Sequence, residues 1–252
     1  MTASLSIYLG SYALGNSIDT FEVTQESRID QVAIPRRHGY LSDTGYRAGL
    51  AIKIGGMIYN DAAADTRTEL NNIKNAMSLG KFYLTIYDDR RIYVQKTYFS
   101  SSYEDQDLRR IRWEAELSAD ADGFEAVTQT VTTKTISATP QTDAFPTVGN
   151  LPSDSIIKIS AGSVQIASGL RIDNLTSGKY FIFNRAIPVT TGYIEIDTDL
   201  LTVTDEGGVS RISSFSGDFF KLEVGANSIK WTGTATGSPT LRATFRDKYD
   251  GH

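Results

Sequence analysis

Only one stretch of this chain carries a helical period. Across residues 61–79, Thr66, Leu70, Ile73 and Met77 recur at intervals of four, three and four, which places them on one stripe of a helix. Asn60 or Asp61 is positioned to cap its start. Asp65 and Glu69 lie toward the positive end of its dipole, and Gly80 follows where a left-handed residue ends a helix. Nearly everything else alternates with period two or breaks at turn residues. The chain is therefore expected to be mainly β, with a single helix confined to its first half.

The strand signals divide into two groups. In the first half, short alternating runs fall at 5–9 and 20–24. Residues 50–59 read as a buried strand interrupted by Gly55-Gly56, which suits a bulge or a close backbone approach. Residues 81–87 and 91–99 flank Asp88-Asp89-Arg90 and read as a hairpin. In 109–118, Ile111, Trp113, Ala115 and Leu117 alternate with Arg110, Arg112, Glu114 and Glu116, so one face is apolar and the other charged. Residues 28–49 stand apart. They are polar, rich in glycine and arginine, too long for a tight turn, and suited to a protruding hairpin or loop. Residues 127–150 turn to Thr, Ser, Pro and Gln and read as a linker, or as a strand leading into one. Beyond 150, short strands are expected at 155–160, 163–167, 170–175, 179–183, 192–196, 200–204, 219–224 and 227–232, with a closing strand in 241–249. This gives a first domain over 1–139, an α+β barrel or sandwich with one helix and a protruding hairpin. An antiparallel β-sandwich follows over 140–252.

Residue counts exclude most chemistry. There is no cysteine, which removes disulfide scaffolds, thiolate metal sites and cysteine nucleophiles. With His38 and His252 as the only histidines, a three-histidine metal site cannot form within one chain, and a Ser-His-Asp triad has almost no raw material. A net charge of −5 argues against binding that depends on neutralising phosphates. No apolar run approaches the ~18 residues of a membrane span. The first residues lack a basic segment followed by an apolar one, so synthesis and folding in a reducing cytoplasm are expected.

Candidate sites weaken when weighed against ordinary structural roles. Asp120-Ala-Asp122-Gly123 opens like a calcium loop, but the fifth position is Phe124, which offers no side-chain oxygen ligand. Asp88 with Asp89, and Asp197 with Asp199, read as solvated turn and strand acids before catalytic pairs. Gly55-Gly56 and Gly207-Gly208 lack the spacing and the following helix of a phosphate cradle. Trp113 and Trp231 each sit on the apolar side of a strand pattern, which favours core over a sugar-stacking platform. The exception is the basic excursion. Arg36, Arg37, His38, Tyr40 and Arg47 lie on a long polar loop of a small β domain, and such loops more often make contacts than decorate.

The order of elements is more specific than any of its parts. An arginine-bearing loop leads to a buried strand, then to a helix containing Thr66-Arg67-Thr68-Glu69-Leu70-Asn71-Asn72-Ile73. Next come Gly80-Lys81, a strand–Asp-Asp-Arg–strand hairpin, and the Trp113 strand ending near Asp122-Gly123-Phe124. This series resembles the N-terminal belt domain of siphophage distal tail proteins. The second half, with Gly149-Asn150-Leu151-Pro152, Ile172-Asp173-Asn174-Leu175-Thr176-Ser177-Gly178, Tyr193-Ile194-Glu195-Ile196-Asp197 and Phe220–Ile229, resembles that family's galectin-like C-terminal domain.

The resemblance implies a non-enzymatic virion protein that needs no cofactor. It implies a homo-hexameric ring at the tip of a non-contractile tail, joining the tail tube protein to the tail-associated tip protein, with DNA passing through its lumen. The tape measure protein and receptor-binding proteins are further implied partners. On this reading, residues 36–47 contact an adjacent subunit or the neighbouring ring. The chain lacks the inserted arm of larger relatives, and it lacks the His, Asn and Trp-Gly-x-Glu set with which galectins hold sugar. A host-surface carbohydrate-binding module of a phage adsorption apparatus is the alternative, with Trp231 as its platform.

Overall fold

A computed structural model describes residues 6–15, 18–28, 31–33, 40–42, 46–78, 80–189, 192–234 and 236–250. The chain divides into two compact units, one formed by residues 1–127 with 249–252 and the other by residues 128–248. The boundary therefore lies about a dozen residues before the expected 139/140 division. Residues 128–139 do not trail from the first unit but supply the second unit's first strand.

In the first unit, strands β1 (Ile7–Leu9), β2 (Tyr12–Ala13), β3 (Thr20–Arg28), β4 (Gln31–Ala33), β5 (Tyr40–Ser42) and β6 (Tyr46–Tyr59) precede helix α1 (Ala63–Ala76). Strands β7 (Lys81–Ile86), β8 (Arg90–Tyr103), β9 (Arg110–Ala119) and β10 (Phe124–Ala126) follow it. The main sheet runs β2-β1-β7-β8-β9-β6-β3, and β4 and β5 pair only with each other. Strand β8 is the junction. Its residues 90–95 pair with β7, and its residues 95–103 pair with β9. A bulge between Lys96 and Tyr98 falls where the one pairing gives way to the other. Such an extra residue bends the strand and strengthens its twist, which lets one strand serve two limbs of a sheet.

Both limbs turn apolar faces to one core. Ile7, Leu84, Ile86, Ile92 and Val94 come from the first limb, and Ile52, Ile54, Ile111, Trp113 and Leu117 from the second. The helix adds Leu70, Ile73 and Met77, as its period requires. Its start differs from expectation, whereas Gly80 beyond its end has the expected left-handed backbone, at φ 79°. The N-cap position is Ala62, with no side-chain cap, and Asn60 instead donates from Nδ2 to Glu69 at 3.0 Å. Buried Thr66 ties the helix to the β9 side by donating to the Arg109 carbonyl at 3.1 Å. Gly55-Gly56 is no bulge: pairing with β9 runs unbroken through both residues. It is a close approach, since a Cβ on Gly55 would lie 3.0 Å from the Trp113 carbonyl oxygen.

The second unit comprises β11 (Thr130–Thr135), β12 (Gln141–Pro146), β13 (Ser155–Ser160), β14 (Leu170–Asn174), β15 (Lys179–Phe183), β16 (Tyr193–Asp197), β17 (Thr202–Asp205), β18 (Phe215–Gly217), β19 (Ala226–Thr232) and β20 (Thr240–Phe245). They form two five-stranded antiparallel sheets, β11-β20-β13-β16-β17 and β12-β19-β14-β15-β18. The inner faces of both sheets share one core that includes Ile157, Ile159, Ile196, Phe145, Ile172, Phe181 and Trp231. That is the expected β-sandwich. Two expected strands are absent as ladders. Residues 163–167 make one isolated bridge, Ile166 to Ile187, and residues 219–224 make one, Leu222 to Ser153. Ile166, Phe220 and Leu222 are buried, while Val164 and Val224 are exposed, and the backbone around them is irregular.

Candidate assembly interface

The second limb of the first unit, β8-β9-β6-β3, separates its side chains into rows that can be read from the register. One row crosses Glu22, Lys53, Glu116 and Tyr98, and the next crosses Thr20, Gly55, Glu114 and Ser100. Between them, on the opposite face, lie Phe21, Ile54, Ala115 and Phe99. The apolar face enters the core, so the face bearing the acids, Lys53 and the small residues is the solvent side.

Its cations are engaged. Lys53 Nζ lies 2.8 Å from Glu114, and that hydrogen bond and charge hold its ammonium above the usual lysine range against the opposing effect of burial; Glu22 and Glu116 add to the effect. Arg112 donates to Glu104 at 2.6 Å, and Arg110 stacks over Tyr59 at 5.2 Å.

The outward face of the first limb is different in kind. Tyr83 and Tyr93 are directly paired across β7 and β8, with ring centres 5.0 Å apart. Arg91 lies 4.2 Å over the Tyr83 ring and donates to Glu125 at 2.8 Å. At the adjoining turn, the hydrogen bond to Asp88 and that carboxylate's charge raise the Tyr8 hydroxyl above its usual range. Exposed tyrosine beside arginine is the residue pairing enriched where proteins bind one another.

Of the residues singled out from sequence, Arg36, Arg37 and His38 lie outside the described residues. Tyr40 opens β5 opposite Ala33, and Arg47 stands in β6 opposite Ser27, beside a bulge in β3 between Gln25 and Ser27. The remaining candidates take structural roles. Asp197 accepts from the backbone N–H groups of Asp199 and Leu200, both at 2.9 Å, and so closes its own turn. Asp120 pairs with Lys81 at 3.1 Å on the surface. Among the described residues no group of three His, Cys, Asp or Glu is placed to hold a metal. No described helix is long and apolar enough to cross a membrane. Trp113 and Trp231 are each 1 % exposed, so neither ring is available as a sugar platform. The rows of the β8-β9-β6-β3 sheet were half visible in the alternation of 109–118. The Tyr83–Tyr93 pair was not, because nothing in a hairpin signal alone sets which residues face each other.

No protein-family model matches the sequence, and no curated relative matches it. Solved structures do match in fold. The chain has the fold of a hub protein from a phage adsorption apparatus. That protein is SPP1 Dit (gp 19.1), described as a paradigm of the hub adsorption apparatus in phages infecting Gram-positive bacteria. It shares 13 % identity over 96 % of this chain and 99 % of its own, with a TM-score of 0.66. At that identity the likeness speaks to fold. A chain of the phage P2 baseplate in its calcium-activated conformation aligns over 95 % of this chain and 97 % of its own. Its identity is 9 % and its TM-score 0.41.

Proposed function

We propose that this chain is a structural distal tail protein of a long, non-contractile-tailed phage, acting as a hub in the tail tip. The observation that carries the reading is the end-to-end fold match with a phage hub protein, covering both chains almost completely. The element order read from the sequence points the same way. On this reading the first unit forms a homo-hexameric ring between the tail tube protein and the tail-associated tip protein. The ring encloses a lumen for DNA and also meets the tape measure protein. The second unit carries receptor-binding proteins. The protein is assembled in the host cytoplasm and resides in the virion. Its work is positioning, with no catalytic step and no cofactor. The face with Glu22, Glu114 and Glu116 around Lys53 suits a surface that a polyanion passes without adhering.

The test is the oligomeric state. Light scattering and negative-stain imaging of the full chain should give six-fold rings as concentration rises. A particle that stays monomeric at high concentration overturns the reading. The basic excursion supplies a second test, since Arg36→Glu with Arg37→Glu should block assembly while leaving the folded monomer intact.

A further inference from the structure

The outward face of the first limb holds a cleft whose origin can be read from the register. One row runs Tyr8, Thr85, Arg91 and Glu125 across β1, β7, β8 and β10. Beside it, the Gly10 N–H donates to the carbonyl of Tyr83, which faces Tyr93 across the next pair. The alternate residues Leu9, Leu84, Ile86 and Ile92 enter the core, so Tyr8, Thr85 and Arg91 stand on the opposite face. Two small residues, Thr85 and Gly10, thus lie among large ones. The result is a cleft of about 400 Å³ bounded by Tyr8, Tyr83, Asp88 and Arg91, a size in the range of small-molecule sites.

The polar groups of the cleft are fixed before any ligand arrives. Arg91 is stacked on the Tyr83 ring and held through Nε by Glu125. Asp88 accepts the Tyr8 hydroxyl. Its backbone is left-handed, at φ 63°, as is that of Tyr87 before it, at φ 54°. A bulky residue seldom adopts that conformation, and two residues in succession do so only where the surroundings impose it. Here two anchors impose it. The Tyr87 N–H donates to the Ser6 carbonyl at 2.9 Å, and the Val127 N–H donates to the Asp89 carbonyl at 2.8 Å. Strained turns of this kind cluster at ligand clamps, and this one carries an acid at the rim of a cleft.

Charge narrows the ligand. Asp88 and Glu125 repel an anion, and the Arg91 guanidinium repels a cation. What fits is an uncharged ligand that donates and accepts at closely spaced positions and lays a C–H surface against a tyrosine. We propose that this cleft binds a neutral saccharide. Asp88 accepts from its hydroxyls, Arg91 donates to its oxygens, and Tyr8 and Tyr83 flank the sugar. Tyrosine with arginine also serves protein contacts, but a flat protein contact requires neither a cleft nor a strained acid at its rim. The site is distinct from both buried tryptophans, and it stands on its own residues, independently of the hub reading.

The test is saturation-transfer NMR on the full chain with glucose, galactose, N-acetylglucosamine, lactose and chitobiose at millimolar concentration. Transfer to at least one of these sugars is expected. Asp88→Asn should weaken its affinity at least about tenfold. Asparagine tolerates a left-handed backbone, so the turn survives the loss of charge. Thr85→Tyr fills the floor of the cleft from a strand position that suits aromatic residues. It should abolish transfer at an unchanged melting temperature. Tyr180→Ala is the control: Tyr180 lies under Arg171 at 3.9 Å, and Arg171 bonds Asp173, so the second unit carries the same three residue types. That variant should bind like the parent.

Absence of transfer from all of these sugars overturns the proposal. Transfer that survives Thr85→Tyr, or that Tyr180→Ala removes, overturns it as well. If no sugar binds and Thr85→Tyr instead blocks assembly in light scattering, the cleft is a protein contact; the saccharide falls and the hub reading stands. Sugar binding by a chain that never forms rings upholds the cleft and overturns the hub reading.

Discussion

The two units manage the edges of their sheets in opposite ways. In the second unit every edge strand is short, charged or covered. Strand β12 carries Asp143 and Pro146, β11 carries Lys134, and β18 has three residues. The edge of β17 is met by a bridge from Thr204 to Ser210 and by the Arg211 N–H on the Val203 carbonyl. Buried polar residues then fix its turns. Asn227 accepts from the Glu223 N–H at 2.7 Å and donates to the Glu223 carbonyl at 2.8 Å, and Asn174 accepts from the Thr176 N–H at 3.0 Å. The first unit has the longer strands, most of the exposed tyrosines and, among the described residues, two long edges without a strand partner: β3, which carries Glu22, Glu26 and Arg28, and the uncharged stretch 97–103 of β8. The second unit is closed by its own residues, and the first leaves two strand edges without a strand partner among the described residues.

Four experiments break or sharpen that contrast. The largest effect concerns independence. Each unit holds one tryptophan, Trp113 or Trp231, both buried. Replacing either with alanine should destabilise its own unit by about 3–5 kcal/mol. The remaining tryptophan reports the other unit's unfolding by fluorescence in denaturant. A coincident shift in both units would mean that they unfold as one body. Next, Asn227→Ala should weaken the second unit by roughly 1–3 kcal/mol, since its loss strands backbone groups near Phe145 and Glu223; a melt within error of the parent would remove the network from the account. Third, Thr133→Lys with Thr135→Lys on the edge of β11 should leave assembly untouched and change stability by no more than about 0.5 kcal/mol. An assembly defect there would show that the second unit continues into a neighbour.

The smallest effect is a pH dependence. Burial pushes the Asp205 carboxyl up, but the Arg211 hydrogen bond at 2.6 Å and the N–H groups of Val209 and Gly207 outweigh it, so its pKa lies below the usual carboxylate range. A depressed folded-state pKa stabilises the fold above the unfolded value and loses that contribution as pH falls through the folded value. The gap in melting temperature between the parent and Asp205→Asn should therefore narrow below about pH 4. A gap that stays constant with pH would assign the effect to geometry alone.

Features set by local pattern were legible in the sequence. The helix, the Asp88-Asp89-Arg90 turn and the two faces of β9 follow from spacing alone, and the structure bears them out. The boundary at 127/128 was not, because Thr130–Thr135 is threonine-rich. An edge strand buries little, so it needs few large apolar residues to be a strand, and by composition it reads equally as a linker or a strand. The apolar runs at 163–167 and 219–224 failed for the converse reason: Ile166 and Leu222 are buried as side chains while their backbones pair at single points. The candidate interface was only partly legible. Alternation revealed the charged face of β9, but a bare edge depends on how far one strand outruns another, and that is decided by pairing between segments distant in sequence.

The overhang of β8 past β7 also bears on how the chain behaves before it meets any partner. Residues 97–103 are an uncharged strand with one side unpaired among the described residues, open to pairing with whatever edge arrives first.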